Sequence, residues 1–385
     1  MEFASVYIHI PFCRTRCFYC DFNTFAGRER LIPDYLAALQ SEIARQKPYA
    51  ELPVHSVYFG GGTPSRLDPA QAGSLMDTLR DTFTLTADAE ITFECNPCDV
   101  TAEYARGLAE LGINRISLGM QSAVPDELKR MGRRHTPEQT ALAVTLLQNA
   151  GLHNISLDLI YGYPGQTAES WEYSLRTAAG PGIRHISLYA LSVEEGSALR
   201  RQLESGRLTL PDEELTVAMY EQAADFLAER GFRHYEISNW ALNEACESRH
   251  NKQYWFVAPY YGFGAGAHGW IGHQRIRNTG KIEEYIHAVN SSPERFPAAE
   301  EIIPQTKHTE MQDVMMLGLR MLREGITEER FRGRFHEEMR TVFRRELRRL
   351  ERKNLVQWDG SGRLLLVPDK VMVANQAFIE FVDPA

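Results

Sequence analysis

From its start to about residue 240 the chain alternates short β-rich runs with helical patterns of roughly 10–15 residues, and this rhythm limits the fold more than any other feature. Strands joined through helices run parallel, because a parallel pair needs a crossover connection, so repeated units of this kind build one sheet. Six strands are expected, at 5–10, 55–59, 90–94, 115–119, 154–160 and 185–191. The first runs into a cysteine cluster and the second into Gly60-Gly61-Gly62-Thr63-Pro64. The third ends at Glu94 and Asn96, the fourth at Gln121, the fifth at Asp158 and Tyr161. In a βα barrel the carboxyl ends of the strands share one face, where function concentrates, so these residues are expected to converge. Six units rather than eight predict an α/β fold of an incomplete, TIM-like (β/α)6 barrel, open on one side.

The rhythm is lost over 241–304, a stretch rich in Gly, Trp and Tyr that includes HNKQYW at 250–255 and GFGAGAHGW at 262–270. It is expected to be connecting structure along the open side. A separate unit is expected over 305–385. Its helical segment MQDVMMLGLRMLREG is followed by a helix about 328–334 and a charged helix over 336–354. LVQW-DGSG-RLLLV then reads as two apolar runs around a turn, which predicts a small winged-helix-like α+β domain. Met339, Val342, Phe343, Leu347 and Leu350 form the inward stripe of its charged helix.

Cys13, Cys17 and Cys20 lie in eight residues directly after a strand, close enough in sequence to share one metal centre without the entropy of a long loop. Three thiolates would leave one iron of a [4Fe–4S] cluster open. A zinc site would want a fourth protein ligand, and the nearest imidazole, His9, lies back on the strand. A secreted disulfide framework does not fit six cysteines spread over 385 residues. The net charge of −9 argues against generic binding to nucleic acid or an anionic membrane, and acidic residues interleaved with the arginines of the winged unit set interaction or lid function ahead of DNA binding there. The amino terminus lacks a cationic and apolar leader pattern, and no run of 18 apolar residues occurs, so a cytoplasmic protein is expected.

Cys13-x3-Cys17-x2-Cys20, with Tyr19 before the last cysteine, resembles the hallmark of the radical S-adenosylmethionine (SAM) superfamily. YIHIPFCRTRCFYCDF, FGGGTPS, EITFECNP, GINRISLGMQS, LDLIYGYPGQT and HISLYALSVEEG together resemble its branch of oxygen-independent coproporphyrinogen III oxidases and HemW-type haem chaperones. The resemblance covers nearly the whole chain and implies a [4Fe–4S] cluster on the three cysteines. It implies SAM against Gly61, Gly62 and Thr63, with Glu94 at its ribose or ammonium group. Gln121, Arg133 and Asp158 match polar positions lining the nucleotide site, and Tyr7 an aromatic residue beside the cluster. HNKQYW matches a haem-binding motif, which makes His250 the expected ligand of haem iron; Cys246 is a less favoured one. By composition alone the same six residues read as a capped, hydrogen-bonded loop.

Two activities follow from the branch. A chaperone would pass haem to acceptor haemoproteins under control of the cluster. An oxidase would use an electron from the cluster to release a 5′-deoxyadenosyl radical from SAM and decarboxylate porphyrinogen propionates. The oxidases carry a further cysteine where Phe22 stands, and a long segment ahead of the first strand where six residues precede Tyr7 here. Both departures favour the chaperone, with haem, acceptor haemoproteins and an electron donor as partners, no nucleic acid, and a homodimer left open. A radical SAM enzyme for another substrate is the third reading. Cys95 and Cys98 read as incidental buried thiols, and His9, His135 and His268 as structural.

Overall fold

The computed structural model describes residues 2–382. The six expected strands form as β1 (Ala4–Ile10), β2 (Val54–Gly61), β3 (Leu85–Cys95), β4 (Arg115–Gln121), β5 (Asn154–Tyr161) and β6 (His185–Ala190). They pair in chain order, each parallel to the next. The sheet then grows at both edges. β7 (Arg233–Glu236) and β8 (Asn239–Ala241) join antiparallel beside β6. At the other edge β9 (Tyr260–Phe263) pairs parallel with β1, followed antiparallel by β10 (His268–Ile271), β11 (Gln274–Asn278) and β12 (Ala299–Pro304). The order β12-β11-β10-β9-β1-β2-β3-β4-β5-β6-β8-β7 ends at two unpaired edges, so this curved sheet does not close.

The stretch 241–304 is thus more than connecting structure: four of its segments are strands of the sheet. Their shortness explains why the pattern missed them. β9 and β10 have four residues each, and Gly262 and Gly269 interrupt the alternation that marks a strand.

Period-2 alternation divides the six central strands into two faces. Val6, Ile8 and Ile10, Val57 and Phe59, Ile91 and Phe93, Ile116 and Leu118, and Leu157 and Leu159 point into the main apolar core beneath the helices. The opposite face carries Ser5, Tyr7 and His9, Ser56 and Tyr58, Glu90, Thr92 and Glu94, Arg115 and Ser117, Ser156 and Asp158, with matching register across neighbours. Crossover helices are fixed at their starts by capping boxes at Asp68–Gln71, Thr136–Gln139 and Thr167–Ser170. Pro69 and Pro137, with preset φ and no amide hydrogen to lose, stand in the first turns of two of them.

Beyond residue 305 the helix Lys307–Gly318 leads to a strand, β13 (Ile326–Thr327), and directly to the helix Glu328–Phe335; with β14 (Val356–Trp358) and β15 (Arg363–Leu366), β13 forms an antiparallel sheet in the order β13-β15-β14. The expected single helix over 336–354 is two, Met339–Val342 and Arg344–Arg352, because the backbone leaves helical geometry at Phe343. Phe331, Phe335, Met339, Phe343, Leu347, Leu350, Leu364 and Leu366 belong to a second core distinct from that of the large sheet. Among the described residues no helix is long and apolar enough to cross a membrane.

Candidate functional site

The chain leaves β1 through Pro11 and places Cys13 in a short strand, Phe12–Cys13, parallel to Phe25–Ala26. The loop between carries Cys17 and Cys20 and is held on three sides. Phe18 donates its N–H to Met131 O (3.0 Å) and accepts Leu199 N–H (2.8 Å), while Phe25 N–H reaches Pro11 O (2.8 Å). Asn23 Nδ2 donates to Ala265 O (2.9 Å) and Gly280 O (2.8 Å), tying the loop to the β9–β11 edge.

Cys13 is buried, its thiol is pushed up to about 11 by desolvation, and its Sγ lies 3.3 Å from Thr63 Oγ1. Arg133 Nη1 donates to Cys17 Sγ (3.4 Å) and Nη2 to Gly119 O (2.8 Å), which fixes a cation beside the thiols. No three His, Cys, Asp or Glu side chains among the described residues are close enough to share one ion. A [4Fe–4S] cluster asks something different, since each thiolate binds a separate iron. Three half-buried or buried thiols in one anchored loop, with a guanidinium at hand for the charge of a thiolate-ligated cluster, fit that group.

A cleft of about 350 Å³ opens above these cysteines at the carboxyl ends of the strands. Cys13, Cys17, Tyr19 and Cys20 line it together with Gly61, Gly62 and Thr63, Glu94, Gln121, Arg133 and Asp158. Gly61 has φ +110°, and a Cβ there would sit 2.5 Å from the His9 ring, so only glycine can bring this loop against the imidazole. Its N–H donates to Glu94 Oε2 (3.2 Å), and Tyr58 Oη donates to Oε1 (2.7 Å). Burial raises the Glu94 carboxyl to about 7 despite these donors, with Asp158 contributing in the same direction. Asp158 is likewise raised by desolvation, and it accepts from Ser117 Oγ (2.7 Å) and Ser156 Oγ (3.3 Å). Gln121 ends β4 at φ 63° where the register slips, a strained backbone that aims a polar side chain at the cleft. Two carboxyls near the cluster loop, a backbone cradle and an amide give a ligand with an ammonium group, a carboxylate and a ribose suitable partners.

The two remaining expected residues lie elsewhere. Tyr7 lines a second cleft of about 570 Å³ that shares Phe22, Gly61 and Glu94 with the first, and its hydroxyl meets His9 Nδ1 (3.0 Å). His250 lines neither. HNKQYW is a helix, Arg249–Trp255, capped by Ser248 and packed against the amino-terminal half of the sheet, where Glu90 accepts the Arg249 and His250 amides (3.2 Å each). The His250 ring is 1% exposed, with Nδ1 at Ser56 Oγ (3.1 Å) and Nε2 at Tyr254 Oη (2.7 Å). As the expected haem ligand, His250 would have to give up one of those bonds to reach iron. Cys246 is buried beside Tyr235, Ala241 and Met321, away from both clefts. Cys95 belongs to the main core, and Cys98 donates to Asn96 Oδ1 (3.3 Å). Tyr58, Ser117 and Tyr189 also line the first cleft and went unnoticed in the sequence. Their alternation within each strand, Tyr58 two residues after Ser56, Ser117 two after Arg115 and Tyr189 two after Ser187, was the available signal.

The family model of the Radical SAM superfamily matches residues 7–178, and that of the HemN C-terminal domain residues 305–365. The chain is 34% identical over 380 residues to "Heme chaperone HemW" of Bacillus subtilis, covering 98% of this chain and 99% of that one. It is 39% identical over 316 residues to "Heme chaperone HemW" of Mycobacterium tuberculosis, covering 81% and 80%. The solved structure of coproporphyrinogen III oxidase (HemN) from Escherichia coli superposes with a TM-score of 0.86 at 23% identity, over 99% of this chain and 91% of that one, a likeness of fold.

Proposed function

The chain belongs to the radical SAM superfamily and, within it, to the HemW family, and from that premise we propose that it is a haem chaperone that loads acceptor haemoproteins. Cys13, Cys17 and Cys20 would hold a [4Fe–4S] cluster. Gly61, Gly62, Thr63, Glu94, Gln121, Arg133 and Asp158 would hold SAM against it, with Tyr19 in the same cleft and Tyr7 in the adjoining one. When bound, this pair supplies one-electron chemistry; the chain's own residues orient it, exclude water and set its charge.

The observation that carries the reading is the second cleft. Its walls include Tyr254, Trp255, Tyr260 and Trp270, which suit a flat aromatic macrocycle, and Phe22, Gly61 and Glu94 are common to both clefts. A cargo there would contact residues that also contact the SAM site, so occupancy of one can bias the other. Phe22 is 62% exposed at this junction. In the resembling oxidases a cysteine occupies its place, and a phenyl ring can pack on a macrocycle but cannot ligate or donate.

The deciding experiment offers the anaerobically reconstituted chain, carrying about four iron per chain as one cluster requires, two substrates in parallel. With haem and an apo-haemoprotein, haem should pass to the acceptor. With coproporphyrinogen III and SAM, no decarboxylated product should form. Product without transfer would sink the proposal, and iron content unchanged by replacing Cys13, Cys17 and Cys20 with alanine would sink the cluster assignment.

A further inference from the structure

The second cleft lies between the β9–β11 edge of the large sheet, the helix Arg249–Trp255 and the helix Lys307–Gly318, from which Asp313, Met316 and Leu317 face it. At about 570 Å³ it falls within the range of small-molecule sites, roughly 300–1,000 Å³. Directly opposed residues of antiparallel strands share a face. The register Tyr260↔Trp270, Trp270↔Arg275 and His268↔Arg277 therefore puts two aromatic rings, an imidazole and two guanidinium groups on one side of the sheet edge.

Three imidazoles lie at or near this cleft, and their hydrogen bonding separates them. His9 is engaged at both nitrogens, by Tyr7 Oη (3.0 Å) and Asn23 O (2.9 Å). His250 is engaged at both by Ser56 and Tyr254. His268 lines the cleft, is exposed, and has no hydrogen-bond partner at either ring nitrogen among the described residues. Desolvation at the cleft wall, followed by Arg277, holds it below its usual range and so in the neutral form a metal ion requires.

A second observation is independent of the imidazole. Trp255 Nε1 and Trp270 Nε1 are buried donors with no acceptor among the described residues, and both residues line this cleft; Trp270 is 7% exposed. Buried indole N–H groups ordinarily find a partner. Two orphaned donors in one wall mark a place where a ligand with acceptor groups completes the hydrogen bonding. The backbone that presents His268 is also fixed: a Cβ on Gly262 would fall 1.8 Å from His268 O, so β9 and β10 can approach this closely only with glycine there.

We propose that His268 would be the protein ligand of haem iron, with the macrocycle held in this second cleft by Tyr260, Trp270 and Trp255 and its carboxylates met by Arg275. The proposal rests on the reading of the chain as a haem carrier and names the residues that hold the cargo. Arg275 is paired with Asp313 at 2.5 Å, yet a guanidinium has donors enough to serve a second carboxylate.

The test is a haem titration of the full-length, cluster-reconstituted chain, read by visible absorption and electron paramagnetic resonance in the ferric and dithionite-reduced states. In His268→Gln the Soret band should move and the dissociation constant rise at least tenfold, while iron content of the cluster and far-ultraviolet circular dichroism match the wild type. In His268→Ala, added imidazole should restore the wild-type spectrum, a rescue that a merely structural role would not give. Wild-type binding with an unaltered spectrum and affinity in His268→Gln would overturn this inference and leave the carrier reading standing. Loss of the wild-type spectrum in His250→Gln but not in His268→Gln would overturn it in favour of His250. A wild-type chain that binds no haem would overturn both readings.

Discussion

Glu94 carries the sharpest pH signature in the site. Its carboxyl sits at about 7 because burial outweighs the hydrogen bonds from Tyr58 and Gly61. A raised acid keeps its proton in the folded chain, so its contribution to stability is greatest below the ordinary 4.5 and is lost as pH rises through 7. Binding runs the other way. An ammonium or ribose partner favours the carboxylate, so SAM affinity should climb between pH 6 and 8, by about tenfold per pH unit on the acid side of the midpoint. Calorimetry on Glu94→Gln should show a flattened profile and affinity reduced by about 1.5–3 kcal/mol, the worth of a hydrogen bond to a charged group. A slope that persists in the variant would assign the titration to another residue. Cys13, Cys17, Cys20 and Gly61 were legible from sequence because their spacing and type are themselves the chemistry. His268 was not, because what sets it apart is a pair of ring nitrogens with no partner among the described residues, at the wall of a cleft, a property of its neighbours.

At the scale of elements, strands are written with a polar face toward the site and an apolar face toward the helices, and the alternation is visible in ISLDL as well as in VYIHI. The helix Arg249–Trp255 was not legible as one. Seven residues with no long apolar stripe carry little helical signal, and it is stable here because Ser248 caps it, accepting from Asn251 N (3.2 Å), and because Glu90 on β3 accepts two of its first amides. Ser248→Ala should cost about 1 kcal/mol, the usual worth of such a cap, measurable by urea denaturation. Because Tyr254 and Trp255 reach the second cleft from this helix, the same variant should weaken haem binding while leaving the cluster's iron content intact. Iron loss on this substitution would mean that the helix supports the cysteine loop as well.

Across the whole molecule, the two apolar cores are bridged by a few specific bonds. Arg334 Nη1 donates to Val257 O (2.8 Å), and Leu322 N–H reaches Tyr235 O (3.0 Å). Phe331 lies deep in the second core, 4.8 Å from the Phe335 ring and 6.1 Å from that of Phe343. Phe331→Ala should destabilise that core by about 3–5 kcal/mol, the range for deleting a buried ring. Differential scanning calorimetry should then show the shift in an early transition, with cluster iron retained until a later one. A single transition carrying both would show that the bridging bonds couple the cores into one cooperative unit.

By itself the sequence determined what is local: the βα rhythm, the apolar and polar faces of each strand, the cysteine loop and the glycine turn. Those follow from period, residue size and ligand chemistry, all of which act over a few neighbouring positions. Tertiary structure alone decided that β9 joins β1, that Asn23 of the cysteine loop is clamped at Ala265 and Gly280, and that His250 is enclosed while His268 is exposed at a cleft. These depend on contacts between segments some 200 residues apart along the chain, where burial and hydrogen-bond satisfaction are settled only once the sheet has formed.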